Sequence, residues 1–139
     1  MKLVAVLDSS IVVSGIGWRG EAGNVLRLLA RRSFVSIRTP YLTREWTETL
    51  TELSAGRRWP NANWAGWLEW LSTKSRLVDD PPMKRIVRDP KDDPVLAAAI
   101  SQRADCLVSD DRDLLDLQTP YGVRCVTPRA FIATVLAKL

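Results

Sequence analysis

Two rhythms of apolar residues run along this chain. Short, nearly unbroken apolar runs fall at residues 3–7 (LVAVL), 34–37 (FVSI), 77–78, 106–108 (CLV) and 123–126 (VRCV), each bounded by polar residues or glycine. Runs without alternation fit strands covered on both faces, as in a parallel sheet. Between them apolar residues recur every three or four positions, the stripe of a helix facing a core. Such stripes are Ala22, Val25, Leu26 and Leu29 within residues 21–32, and Leu42, Trp46, Leu50 and Leu53 after Thr39-Pro40. Trp64, Trp67, Leu68 and Leu71 make a third, and Phe131, Val135 and Leu136 after Thr127-Pro128 a fourth. Ile11-Val12-Val13 continues past the first strand and is expected to enter a glycine-bearing loop at residues 15–20. Strands alternating with helices predict an α/β fold: a three-layer α/β/α sandwich around a mostly parallel sheet, with right-handed crossovers. At 139 residues, one domain over residues 1–139 is expected.

The stretch at residues 88–117 organises the rest. Asp93-Pro94 reads as a helix start, with Asp capping and Pro at the first helical position. Val95, Leu96, Ala98, Ala99 and Ile100 carry the helix, Cys106-Leu107-Val108 makes a strand, and Asp110, Asp111 and Asp113 follow at once. About ten helical residues rise roughly 15 Å, and about five strand residues return roughly 16 Å. Asp111 therefore comes back to the edge that Asp93 left.

Composition narrows the chemistry. Histidine is absent, which excludes Ser-His-Asp and Cys-His catalysis, histidine-ligated zinc and a histidine general base. A net charge of +4 permits an anionic partner. Cys106 and Cys125 sit in apolar runs and read as reduced core residues. No run of eighteen apolar residues occurs, so no membrane span is expected. The start, MKLVAVLDSS, turns acidic too early for an export signal, which points to the cytoplasm.

Functional groups in open α/β sheets gather at the carboxyl ends of strands. Asp8 ends the first strand, Asp111 follows the fourth, and Asp93 opens the intervening helix. Glu45 lies early in the Thr39-Pro40 helix, between Leu42 and Trp46. Taken singly, Asp93 reads equally well as a helix cap, residues 110–113 as a solvated turn, and Glu45 as a partner of Arg44 or Arg38. Asp8 is harder to explain locally, because an acid ending a fully apolar strand is costly without a partner. Four carboxylates meeting at one edge repel one another, and oxygen-only ligation of Mg²⁺ or Mn²⁺ relieves that. The six tryptophans read as core filling, with a partner surface as the alternative for some of them, Trp18 and the helix of Trp64 to Leu71 being the candidates.

VLDSSIVVSG, the helical Glu45, RDPKDDPVLAAAI, LVSDDRDLL and the closing VTPRAFI together resemble the PIN domain family. The resemblance spans nearly the whole chain, and within the family it is nearest to the toxins of type II toxin–antitoxin pairs. It implies a Mg²⁺-dependent endoribonuclease whose site acids fall on Asp8, Glu45, Asp93 (beside Asp92) and Asp111, with Asp113 as a further metal ligand. It also implies an RNA substrate and a small antitoxin protein as partner, and leaves room for a homodimer. One departure is visible: the family usually has Asp-Thr-Asn or Asp-Ser-Asn where this chain has Asp8-Ser9-Ser10. Ser10 brings no amide to support neighbouring carboxylates. On this reading a water activated by Mg²⁺ attacks the phosphodiester in line, with Arg19, Arg44, Arg88, Lys91 and Arg112 neutralising the RNA backbone. Two other classes compete. A metal-dependent phosphatase needs a phosphate cradle, and no glycine-rich one is evident; a non-catalytic nucleic-acid- or partner-binding module has no need of the four acids.

Overall fold

The structure is a computed structural model that describes residues 2–82 and 93–139. Arg88, Lys91 and Asp92 lie outside the described residues.

The first strand, β1 (Val4–Leu7), is the centre of the sheet. Ala5, Val6 and Leu7 are fully enclosed, as expected of an apolar run flanked on both faces. Helices α1 (Ser9–Gly17) and α2 (Gly20–Ala30) lead to β2 (Val35–Arg38); α3 (Pro40–Ser54) and α4 (Trp64–Lys74) lead to β3 (Ser75–Leu77). Then come α5 (Pro94–Ser101), β4 (Cys106–Val108), the one-turn α6 (Arg112–Leu115), a 3₁₀ turn at Pro120–Gly122, β5 (Arg124–Val126) and α7 (Pro128–Ala137). The five strands among the described residues are all parallel in the order β3-β2-β1-β4-β5. Helices cover the sheet on both sides, the three-layer α/β/α arrangement. Among the described residues, no helix is long and apolar enough to cross a membrane.

Register decides where the chemistry meets. Leu7 lies opposite Val108, and the next residue, Asp8, donates its backbone N–H to the Val108 carbonyl at 3.0 Å. The ends of β1 and β4 thus deliver Asp8 and Ser109 side by side. The order also changes direction beside β1, where β2 and β4 flank it, and such a switch point opens a crevice at the carboxyl ends.

Helix α1 departs from expectation. Residues 9–17 are helical, not a strand tail running into a loop. Asp8 starts this helix: its carboxylate accepts from the Ser9 N–H at 2.8 Å, and its carbonyl accepts from Ile11 and Val12. The helix touches α2, α3 and α4, so Ile11, Val12, Val13 and Ile16 are all buried. Only Ser9, Ser10 and Ser14 are left partly exposed, too weak a polar stripe to mark a helix, and the β-branched run imitates a strand. Close approach also explains Gly15, where a Cβ would come within 2.5 Å of Leu26 Cδ1 on α2.

The tryptophans divide. Trp46 is fully buried, but Trp18 (58% exposed) leans edge-on against Trp59 at 5.3 Å, and Trp67 (44% exposed) does so against Trp70 at 5.8 Å. Core filling therefore describes Trp46 and corrects to a surface role for Trp18 and Trp67. Trp59, Trp64 and Trp70 are partly buried and pack against the core. Trp67 is exposed because α4 fully buries only Leu68 and Leu71, and Trp18 because it stands at the C-terminal end of α1. Leu53, in the last turn of α3, is likewise exposed. Cys106 and Cys125 are buried and unpaired, as expected of core thiols.

Candidate active site

A cleft of about 450 Å³ opens at the carboxyl ends of β1 and β4, lined by Asp8, Ser9, Ser10, Tyr41, Glu45, Asp93, Pro94, Val95, Asp110, Asp111 and Leu114. Asp8, Glu45, Asp93 and Asp111 all reach it. Asp113 does not line it; its backbone N–H donates to Asp111 Oδ1 at 2.9 Å while the residue itself is exposed.

Three of the four acids are helix caps. Asp8 caps α1, Asp93 caps α5 by accepting from the Val95 and Leu96 N–H groups at 2.9 and 3.2 Å, and Asp111 caps α6. Capping and cleft membership are thus the same placement, not rival ones. A capping side chain turns back over the first turn of its helix, and these first turns face the cleft. Glu45 is held differently. It stands inside α3, on the edge of the stripe formed by buried Leu42 and Trp46, and its Oε1 accepts from the Ser9 hydroxyl at 3.5 Å. Arg38 turns away, donating to the Ser72 carbonyl and the Thr43 hydroxyl, each at 3.2 Å.

Serines tie the acids together. The Ser109 hydroxyl is fully buried; it donates to Asp8 Oδ2 at 2.7 Å and accepts the Asp111 N–H at 2.9 Å. The Ser10 hydroxyl donates to the same oxygen at 3.4 Å and accepts the Asp110 N–H at 3.5 Å. Ser9, Ser109, Tyr41 and Asp110 were not singled out as site residues from the sequence. A signal for Ser109 existed: a hydroxyl directly after a fully apolar strand must find a buried partner.

The acids share one electrostatic field. Burial raises the Glu45 carboxyl above its ordinary value, and the charges of Asp8 and Asp93 raise it further. Burial also raises Asp93; the Leu96 and Val95 N–H groups oppose this, and the charges of Asp8 and Asp111 add to it. Both groups therefore bind a proton more tightly folded than unfolded. Their contribution to stability is present below their ordinary values of 4.5 and 3.8 and is lost as pH rises through the raised folded-state values. The metal-free protein should accordingly lose thermal stability from these two groups across that window. Glu45→Gln should melt higher than wild type at neutral pH and gain nothing below about pH 4. Melting curves against pH would show it, and an equal gain at both ends would refute the assignment.

The donor set fits a hard divalent cation. Among the described residues lining the cleft, five carry carboxylates and none is basic, so negative charge is left for an added cation to balance. Among the described residues, no three acids already form a ready-made ligand cluster. Of the basic residues expected to meet a substrate, Arg44 and Arg112 are exposed next to site acids in sequence, on α3 and α6. Arg19 lies elsewhere. It lines a second, largely apolar groove of about 950 Å³ between α2 and α4, together with Leu26, Arg27, Trp67 and Trp70.

The family model for the PIN domain matches residues 4–113. Sequence comparison with curated proteins returns no match. Among solved structures, the chain is similar to the protein PAE2754 of Pyrobaculum aerophilum, with 17% identity over 99% of this chain and 98% of that one, at a TM-score of 0.66. VapBC2 from Rickettsia felis, bound to a DNA fragment from their promoter, matches at 15% identity over 90% and 98%, TM-score 0.59. A PilT N-terminus domain protein, SSO1118 of Sulfolobus solfataricus P2, matches at 14% identity over 96% and 94%, TM-score 0.56. At these identities the likeness is one of fold.

Proposed function

The chain belongs to the PIN domain family, and from that membership and its acidic cleft we propose that it is a Mg²⁺- or Mn²⁺-dependent endoribonuclease acting on single-stranded or structured RNA, the toxin of a toxin–antitoxin pair. The observation that carries the proposal is a cleft lined by five carboxylates and no basic side chain among the described residues, at the switch point of a parallel sheet. Asp8, Glu45, Asp93 and Asp111 hold the cation, with Asp113 available only by a change of side-chain position. When bound, the cation supplies an acidified water and neutralises charge on the phosphodiester. The protein's own residues do the rest. Ser109 and Ser10 hold Asp8, Ser9 holds Glu45, and the caps at Asp93 and Asp111 fix where their carboxylates turn. Arg44 and Arg112 stand where a bound backbone can be neutralised.

Purified protein incubated with labelled unstructured RNA should cleave it with Mg²⁺ or Mn²⁺ and fail to do so with a chelator. Cleavage undiminished by the chelator would end the metal-dependent reading. Release of phosphate from small monoesters, with RNA left intact, would favour a phosphatase; binding without cleavage would favour a non-catalytic module.

The partner proposed is a small antitoxin, a reading supported by the fold likeness to VapBC2 of Rickettsia felis. It would offer apolar side chains to the groove between α2 and α4, where Trp67 is exposed, and an arginine or lysine to the acidic cleft. The setting proposed is the cytoplasm, where two buried thiols stay reduced.

A further inference from the structure

One aromatic side chain stands among the acids. Tyr41 is the only aromatic among the described residues lining the cleft, and it is 44% exposed. It precedes Glu45 by four positions on α3, so the two side chains rise from one face of the helix.

Its mount is rigid. Pro40 fixes the backbone angle before it, and Leu42 after it is fully buried. The Tyr41 N–H, one of the first-turn donors with no partner inside a helix, donates to both carboxylate oxygens of Asp80 at 3.2 and 3.3 Å. Only two side-chain torsions remain to be ordered on contact.

The rest of the lining is as telling. It holds serines, carboxylates and apolar residues, and no amide or guanidinium group among the described residues. Among the described residues, the lining therefore offers no bidentate amide or guanidinium group to read a base edge, whereas a ring face accepts any base. In a duplex the base faces are occupied by their neighbours, and only a splayed, unpaired base can reach a protein ring.

We propose that Tyr41 stacks on an unpaired base beside the phosphodiester held at the carboxylates, selecting single-stranded over paired RNA with little regard for which base it is. This rests on the nuclease reading above.

The test uses one unstructured labelled RNA, the same RNA annealed to its complement, and versions carrying a single abasic ribose at each position, all with Mg²⁺. Tyr41→Ala should raise KM for the single strand by roughly 5- to 150-fold, the loss of one base–aromatic stack, with kcat changed less. Tyr41→Phe and Tyr41→Trp should keep the wild-type KM. One abasic position should impose a similar penalty on the wild type and none on Tyr41→Ala. The abasic scan with wild type, together with the Phe variant, keeps the test decisive if the Ala variant folds poorly. Wild-type cleavage with a flat abasic scan, or equal cleavage of duplex and single strand, overturns the role of Tyr41 and leaves the nuclease reading standing. A wild type that cleaves no RNA removes both.

Discussion

Asp8→Asn is expected to abolish metal-dependent RNA cleavage while the protein stays folded. The loss should exceed the roughly 10- to 100-fold that follows removal of a ligand's supporting hydrogen bond, because a ligand itself loses its charge. Folding should survive because asparagine is as good a helix cap as aspartate. Its carbonyl can accept the Ser9 N–H, and its amide can donate to the Ser109 hydroxyl, whose own proton then turns away. Removing the Asp8 charge also removes one of the influences that raise Glu45 and Asp93. At neutral pH this relief offsets the cost of the Ser109 proton that loses its acceptor, so the metal-free variant should keep more of its stability than Ser109→Ala does. Wild-type cleavage rates in this variant would dismiss the site.

Ser109→Ala comes second in expected size and acts on both stability and activity. One hydroxyl holds Asp8 Oδ2 and the Asp111 N–H at once, at 2.7 and 2.9 Å in a fully buried position. Its loss leaves a buried acceptor and a donor short of partners, at about 1–3 kcal/mol. It also frees two of the four acids from their common anchor, so activity should fall by roughly 10- to 100-fold. Ser10→Ala removes only the 3.4 and 3.5 Å contacts and should cost much less on both counts. Denaturant unfolding and initial cleavage rates would rank the pair. A Ser10→Ala variant more damaged than Ser109→Ala would show that the buried hydroxyl is not the anchor.

The apolar runs of β1, β2, β4 and β5 were legible because a strand covered on both faces leaves an unbroken pattern. The caps Thr39, Asp93 and Thr127 were legible because each precedes a proline at the first helical position. The third strand begins two residues earlier than Leu77; the ladder nonetheless carries on to Val78, whose N–H donates to the Arg38 carbonyl. Helix α1 was hidden because burial around most of its circumference weakens the amphipathic period. For the tryptophans the core and surface readings could not be separated, because apolar character alone does not say which side of a helix the core lies on; the exposure of Trp18 and Trp67 decides for the surface.

Within the site, element lengths bring Asp93 and Asp111 to one edge, and the gathering of functional groups at strand carboxyl ends adds Asp8 and Glu45, but the support around them could not be read. Ser10 seemed a poor substitute for an asparagine. With Ser109 present, the job of holding Asp8 is shared between two hydroxyls, one in the first turn of α1 and one directly after β4, ninety-nine positions apart in the chain. Such a partnership leaves no local pattern.

The triple use of aspartate as helix cap has a consequence for inheritance. At Asp8, Asp93 and Asp111 the side chain begins a helix as well as facing the cleft. Asparagine serves the first duty as well as aspartate does, and the two codons differ by a single base. Three independent point mutations are each expected to yield a silent protein that still folds and still presents its surface to any partner. A lineage relieved of the proposed catalytic duty can therefore drift to an inert, intact form without passing through an unfolded one.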